Sequence, residues 1–260
     1  MELNTNKGLT GLRNIGNSCY INSCLQILSN LKDFNKLLDN IENIKLNNND
    51  DSIILKEWNN LRTMMQNNNC IIAPYRFINI IQKYAKNNNK IIFSDFSQND
   101  VSEFFLFIID CFHNSLKRPV KMRIVGEEKN KKDNLAVECF GVLKELYSKE
   151  YSEIIELFYG ISVTQLCSIE NNSLLSRKCE TFSILSLPIS DEKNFDIYDC
   201  FNKYIEDEYL IEENAWYNEK TKKKENIKKN IIFWSLPKIL IIGLNRFNNN
   251  NKKIKDKINI

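Results

Sequence analysis

Over the first half of the chain, apolar residues recur three and four positions apart, and this spacing predicts a series of amphipathic helices. The first begins at or just after Cys19, with Tyr20, Ile21, Cys24, Leu25, Leu28 and Leu31 on one face. Residues 30–51 turn polar and asparagine-rich, which predicts a loop or a poorly packed helical segment. Ile54, Leu55, Trp58, Leu61, Met64 and Met65 resume the helical period, and Pro74 opens another helix with Phe77, Ile78, Ile81 and Tyr84 inward, ahead of a polar linker at 86–90. The strongest stripe is Val101, Phe104, Phe105, Ile108, Ile109 and Phe112 within residues 96–114. There Ser97 and Asp100 are spaced as a capping box, and His113 falls in the last turn, where the helix dipole favours a cation. Residues 117–132 read as a basic exposed loop and 135–151 as a further helix with Val137, Phe140, Val142, Leu143 and Leu146 available for burial. From Phe158-Tyr159-Gly160 onward the runs shorten to a β-type pattern, ending at 239–244 in a near-continuous apolar run that predicts a buried strand.

Composition narrows this only a little. The 260 residues, 43% hydrophobic and 11% aromatic, suffice for one large domain or two small ones. A formal net charge of +3 is close to balance and favours neither a nucleic-acid nor a membrane surface. The one dense basic run, Lys220, Lys222, Lys223, Lys224, Lys228 and Lys229, lacks interleaved aromatics and reads as a solvated loop. The run 239–244 is too short to span a bilayer, and the N-terminal MELNTNKG has no signal-peptide core, so a soluble, intracellular protein of the cytoplasm or nucleus is expected. Eight scattered cysteines with no C-x-x-C pair point to reduced thiols rather than disulfides or a zinc ribbon. There is one histidine.

Chemistry concentrates at Cys19. Gly16, Asn17 and Ser18 suit a tight turn and a helix N-cap, so the thiol is placed in the partial positive field of unpaired backbone N–H groups, which favours its thiolate. Asn14, five residues upstream, could direct its amide at the oxyanion formed when Cys19 attacks a carbonyl, beside the backbone N–H of Cys19. A small buried hydrophobe is the competing reading for any free cysteine.

The string N-x-G-N-S-C-Y-x-N-S-x-L-Q-x-L at Asn14–Leu28 resembles the cysteine box of the ubiquitin-specific proteases, papain-like cysteine deubiquitinases. Gln98, Asp100, Glu103 and Phe104 resemble the family's Q-x-D-x-x-E-F box, Glu180 to Leu187 its E-x-F-x-x-L-S-L stretch, and Leu236 to Phe247 its L-P-x-x-L-x-x-x-L-K-R-F strand, with Gly243 and Asn245 as departures. The resemblance covers about residues 8–247 and is weakest across 115–155. It implies a single α+β catalytic domain of papain-like right-hand architecture, with a helical thumb over about 8–135 and β-rich fingers with an incomplete palm over 136–260.

It also implies a hydrolase that binds ubiquitin or a ubiquitinated protein and cleaves the bond after its C-terminal glycine. Cys19 would be the nucleophile and Asn14 the oxyanion residue, with Asp100 and Glu103 engaging the arginine-rich ubiquitin tail and Gln98 bordering the cleft. No cofactor, metal, nucleic acid or membrane is expected. Of the family's zinc knuckles only Cys167 stands, with Glu170, Asn218 and Thr221 at the other three positions, so the fingers are expected to be metal-free.

The histidine of the family's G-H-Y-type palm segment has no counterpart here, and His113 matches only a structural helix end. A thiol without an acid–base partner forfeits on the order of 10²–10⁴ in rate. Three expectations therefore stand side by side: a deubiquitinase whose final, histidine-bearing segment lies outside this chain through truncation, frameshift or a separate open reading frame, a ubiquitin-binding pseudoenzyme impaired in hydrolysis, or an unrelated helical scaffold with chance matches.

Overall fold

The computed structural model describes residues 9–67, 69–189, 195–247 and 252–259. Its contacts divide the chain into two compact units: one takes the residues up to Val120 together with Lys149–Leu157, the other takes Lys121–Ser148 and the chain from Phe158. Residues 149–157 thus return to the first unit after the chain has left it at Val120.

The first unit is helical. A two-residue strand, β1 (Gly11–Leu12), leads into α1 (Cys19–Ser29), α2 (Lys32–Asp39) and α3 (Asp50–Asn67); β2 (Ile71–Ile72), α4 (Tyr75–Asn87) and α5 (Val101–Leu116) follow. β1 and β2 pair in parallel. The apolar stripes read from the sequence meet around α3 and α5: Trp58, Phe34, Phe77, Phe104 and Phe112 are fully buried, and ring pairs lock neighbours together, Phe34 on Phe112 at 5.6 Å and Trp58 on Phe77 at 6.2 Å. Two expectations change. The polar stretch after Asn30 contains a packed helix, α2, because Phe34 and Leu38 lie four apart and are both buried, which is enough apolar surface for two turns. Met64 and Val101, placed in the stripes by spacing, are exposed at their margins.

The chain re-enters this unit after α6 (Lys131–Glu150), whose last residues precede α7 (Glu153–Phe158). Arg118 anchors the return: its guanidinium meets both carboxylate oxygens of Glu153, at 3.0 and 2.5 Å, and lies over the Tyr151 ring at 4.9 Å. This pairing holds the Glu153 carboxyl below its ordinary range and raises Arg118.

The second unit is β-rich. Its main sheet has the order β4–β3–β9–β6, all antiparallel, formed by β3 (Gly160–Ser168), β4 (Leu174–Phe182), β6 (Glu208–Leu210) and β9 (Ile227–Ser235). Ile161 and Val163 of the central β3 are buried with Cys139 of α6, and Leu135, Leu143 and Trp234 pack against them. β5 (Ile184–Pro188) and α8 (Ile197–Ile205) build a separate apolar cluster from Leu185, Leu187, Ile189, Phe195 and Cys200. β7 (Trp216–Asn218) and β8 (Lys223–Glu225) form a hairpin. The last strand, β10 (Ile241–Asn245), pairs in parallel with β5. It starts later than its sequence pattern suggests, and its apolar residues are half-buried rather than buried, because among the described residues it has a single strand neighbour.

The basic run is largely paired: Lys228 with Asp207 at 3.1 Å, Lys229 with Glu208 at 2.9 Å, and Lys224 with the Glu213 carbonyl at 2.9 Å. All eight cysteines are free thiols, and no helix among the described residues is long and apolar enough to cross a membrane.

Gly160 opens β3 opposite Phe182, where an added Cβ would lie 2.6 Å from both the Phe182 ring and the Ser235 carbonyl. Strands on both sides fix that backbone, so Gly160→Ala should destabilise the protein by about 1–3 kcal/mol, measured by urea unfolding with an unchanged slope.

Candidate active site

The segment ahead of α1 is built by a left-handed turn at Gly16 (φ 103°) and Asn17 (φ 45°), conformations that glycine and asparagine tolerate best. Two side chains from the far side of the cysteine box tie the lead-in to the helix. Asn22 donates to the Arg13 carbonyl at 3.2 Å, and Gln26 donates to the Thr10 carbonyl at 2.8 Å. The turn delivers Cys19 as the first residue of α1, with its thiol exposed.

Ser18, at the N-cap position, makes no side-chain capping bond, and no acidic residue stands in the first turn. The positive end of α1 is therefore open at the thiol. Asn14 sits beside it: its Oδ1 accepts from the Ser18 backbone N–H at 3.1 Å and from Ser18 Oγ at 3.0 Å. An exposed thiol, backbone donors and a side-chain amide thus share one turn, an arrangement that suits attack on a carbonyl followed by stabilisation of the oxyanion.

The acidic box adjoins this turn. Asn17 Nδ2 donates to the Phe96 carbonyl at 2.9 Å, and the Phe96 ring packs where a Gly16 Cβ would be, at 3.6 Å. Asn99 donates to Tyr20 Oη at 3.2 Å and to the Ile92 carbonyl at 2.7 Å, while the Tyr20 ring meets Phe104 edge-on at 5.3 Å. Gln98, Asp100 and Glu103 are all exposed.

The cap of α5 differs from expectation. Asp100 is itself the N-cap, its Oδ1 accepting from the N–H groups of Ser102 at 2.7 Å and Glu103 at 3.2 Å. The Ser97 N–H instead donates to Asp95 at 2.8 Å in a local turn, which holds the Asp95 carboxyl low. One Asp100 oxygen is thus committed to the helix and Glu103 is not.

His113 contradicts its sequence reading as a favourable cation. It is buried, its Nδ1 lies 2.8 Å from Ser152 Oγ, and desolvation lowers its pKa despite Glu150 at 3.7 Å. It also lies twelve residues along α5 from Val101, about 18 Å at the helical rise, at the end remote from the cysteine turn.

Sequence reasoning placed Asn17 and Ser18 in the turn and N-cap without their hydrogen-bond partners, and missed Asn99. The signal was the density of small amide and hydroxyl side chains flanking both boxes.

The knuckle positions hold hydrogen bonds. Asn218 and Thr221 both donate to Glu225 Oε1, at 3.0 and 2.5 Å, and lower its carboxyl, while the Lys220 N–H donates back to Asn218 Oδ1 at 2.9 Å. Glu170 stands in the β3–β4 turn, its N–H donating to Ser168 Oγ at 3.3 Å. Among the described residues there is no cluster of three or more His, Cys, Asp or Glu that could hold a metal ion.

The mixed α+β fold, with an exposed cysteine opening a helix, is that of the papain-like architecture. The chain belongs to the ubiquitin carboxyl-terminal hydrolase family, whose sequence profile matches residues 10–260. It is 30% identical over 265 residues to ubiquitin carboxyl-terminal hydrolase 5 of Saccharomyces cerevisiae, covering 94% of this chain and 32% of the relative. To ubiquitin carboxyl-terminal hydrolase 21 of Bos taurus it is 28% identical over 274 residues, covering 95% and 47%. The chain therefore spans less than half the length of either relative. Among solved structures, a SAGA DUB module of Ubp8, Sgf11, Sus1 and Sgf73 bound to monoubiquitin shares the fold, with a TM-score of 0.69 at 19% identity over 98% of this chain and 53% of that one. The same module bound to ubiquitin aldehyde gives a TM-score of 0.67 at 21% identity, over 97% and 51%.

The lowered pKa of His113 sets a sign for the pH dependence of stability. The unfolded imidazole takes up a proton below its ordinary 6.5, whereas the folded one resists it until a lower pH, so the unfolded state binds more protons in that window. Stability should fall as pH drops from 7 through the window, and His113→Asn should give a shallower dependence. Denaturant midpoints across pH 5–7.5 for the two proteins measure the difference.

Proposed function

We propose that this chain carries the ubiquitin-binding and nucleophilic parts of a cysteine deubiquitinase acting in the cytoplasm or nucleus. The observation that carries the reading is the exposed Cys19 at an uncapped helix start, with Asn14 beside it and the acidic N-terminus of α5 bonded to the same turn. Cys19 Sγ attacks the carbonyl carbon of ubiquitin's C-terminal glycine, and the π pair moves to oxygen. Asn14 Nδ2–H and the Cys19 backbone N–H stabilise that oxyanion. Collapse breaks the C–N bond, the lysine amine leaves with a proton, and water hydrolyses the remaining thioester. Ubiquitin's tail lies along Gln98, Asp100 and Glu103, where two carboxylates meet its arginines.

The proton needed by the leaving amine is the step His113 does not serve, being buried and remote from Cys19. Within this chain, that observation favours a second reading, binding without efficient turnover, and a histidine from a separate segment would restore the first. The two are separated by reaction type. Ubiquitin bearing a C-terminal vinyl sulfone needs no leaving-group proton, so this chain should form a one-to-one adduct that Cys19→Ala abolishes. Absence of the adduct from the folded protein would overturn both readings. Release of aminomethylcoumarin from ubiquitin should be slower than in a histidine-bearing relative by about 10²-fold or more; comparable rates would remove the second reading.

Charge recognition has its own test. Asn caps a helix as well as Asp, so Asp100→Asn should retain thermal stability while weakening ubiquitin binding, and Glu103→Gln should do likewise, each by about tenfold. Calorimetry with ubiquitin measures the loss.

A further inference from the structure

We propose that Ser18 is a positioning residue for the oxyanion site, fixing the Asn14 amide so that its Nδ2–H group faces the carbonyl attacked by Cys19. The inference rests on the deubiquitinase reading and deepens it.

Three bonds converge on Ser18, which is 1% exposed. The Ile15 N–H donates to Ser18 Oγ at 3.1 Å, Ser18 Oγ–H donates to Asn14 Oδ1 at 3.0 Å, and the Ser18 N–H donates to the same oxygen at 3.1 Å. Their directions are forced. A backbone N–H can only donate, so the Asn14 atom facing Ser18 is the carbonyl oxygen, and a flipped amide would set donor against donor. The hydroxyl proton is spent on Asn14, so Oγ can accept from Ile15. Both protons on Nδ2 are left for another acceptor.

Asn14 is itself exposed, and the bonds that orient it all come from Ser18. Without them its amide samples several rotamers and must be ordered when the oxyanion forms. Two donors on the carbonyl oxygen also polarise the amide, which strengthens Nδ2–H as a donor. The same diversion explains why a serine at the N-cap of α1 makes no cap: its oxygen serves the upstream turn, leaving the first-turn N–H groups of α1 without a side-chain acceptor next to Cys19.

Ubiquitin with a C-terminal aldehyde tests this without requiring turnover. Cys19 Sγ adds to the aldehyde carbon, the C=O π pair moves to the oxygen, and the thiol proton ends on that oxygen, which occupies the oxyanion position. Ordinary ubiquitin, ending in a carboxylate, binds the same surface without this addition. The preference for aldehyde over carboxylate therefore isolates the oxyanion site.

Ser18→Ala should lower that preference about tenfold or more and change affinity for ordinary ubiquitin by less than about twofold. Ser18→Thr, which keeps the hydroxyl, should retain the preference. In an Asn14→Ala background, Ser18→Ala should cost nothing further, since both changes remove one donor. Where Ser18→Ala does not fold, Ser18→Cys is measured in its place.

Retention of the full preference by the Ser18 variant overturns the proposal alone. So does an equal additional loss in the Asn14→Ala background, which would mean that Ser18 acts through helix α1. A wild-type chain with no aldehyde preference also overturns it. A wild-type chain that binds neither form of ubiquitin overturns the deubiquitinase reading together with the proposal.

Discussion

The docking of the cysteine turn onto the start of α5 is the constraint on which the proposed site depends. It uses few bonds, Asn17 to the Phe96 carbonyl and Asn99 to Tyr20 Oη, but they are seated on the edge-on contact of Tyr20 with Phe104, a side chain fully buried in the helical core. Such aromatic contacts add about 0.5–1.5 kcal/mol beyond their buried area. More to the point, they couple the site's geometry to core packing, which has little freedom to shift. Tyr20 follows Cys19 directly, so a displaced Tyr20 ring would carry the sulfur with it. The Cys19 thiol is thereby held through its neighbour in sequence.

Helix α5 has two opposed tasks as a result. Its body supplies Phe104, Ile108 and Phe112 to the core, and its N-terminus presents Gln98, Asp100 and Glu103 to solvent. Asp100 serves both ends of this division, since one oxygen caps the helix while the other remains available. The far end of α5 is sealed by the opposite device: His113, with Ser152 and Glu150 against it, is stabilised as the neutral imidazole in a setting where a charge would be desolvated.

Much of this was legible in the sequence where period and burial coincide. The stripes of α1, α3, α4 and α5 are strong because each helix buries one face against the others, and Cys19 stood out because a turn and an apolar period meet there. The less legible parts share a physical cause. Helix α2 was obscured by the exposed charges of Lys32, Asp33, Lys36 and Asp39 around two buried residues, Phe34 and Leu38. The division at Val120 depends on a return segment held by the Arg118–Glu153 pair, whose partners are 35 positions apart. The N-cap of α5 turned on which of two suitable residues, Ser97 or Asp100, met the first free N–H groups, and spacing alone does not decide that. Ser18 was read as an N-cap because serine before a helix ordinarily caps it, and only geometry reveals that its oxygen is engaged upstream.

The β-rich unit shows how a loop can keep its form when its residues suit a different chemistry from that of the family pattern. Asn218 and Thr221 converge on Glu225, and the Lys220 N–H closes back on Asn218, so the β7–β8 hairpin is cross-linked by side-chain bonds at the positions where the resemblance leads one to look for thiols. Each bond of this kind contributes about 0.5–1.5 kcal/mol, rather more with a carboxylate acceptor. That is far less than a structural zinc supplies. A hairpin held this way needs other support, and here the adjoining strand β9 provides it by pairing with β3 at eight positions on one side and with β6 on the other. The local tie therefore shapes the tip, while the sheet carries the stability of the unit.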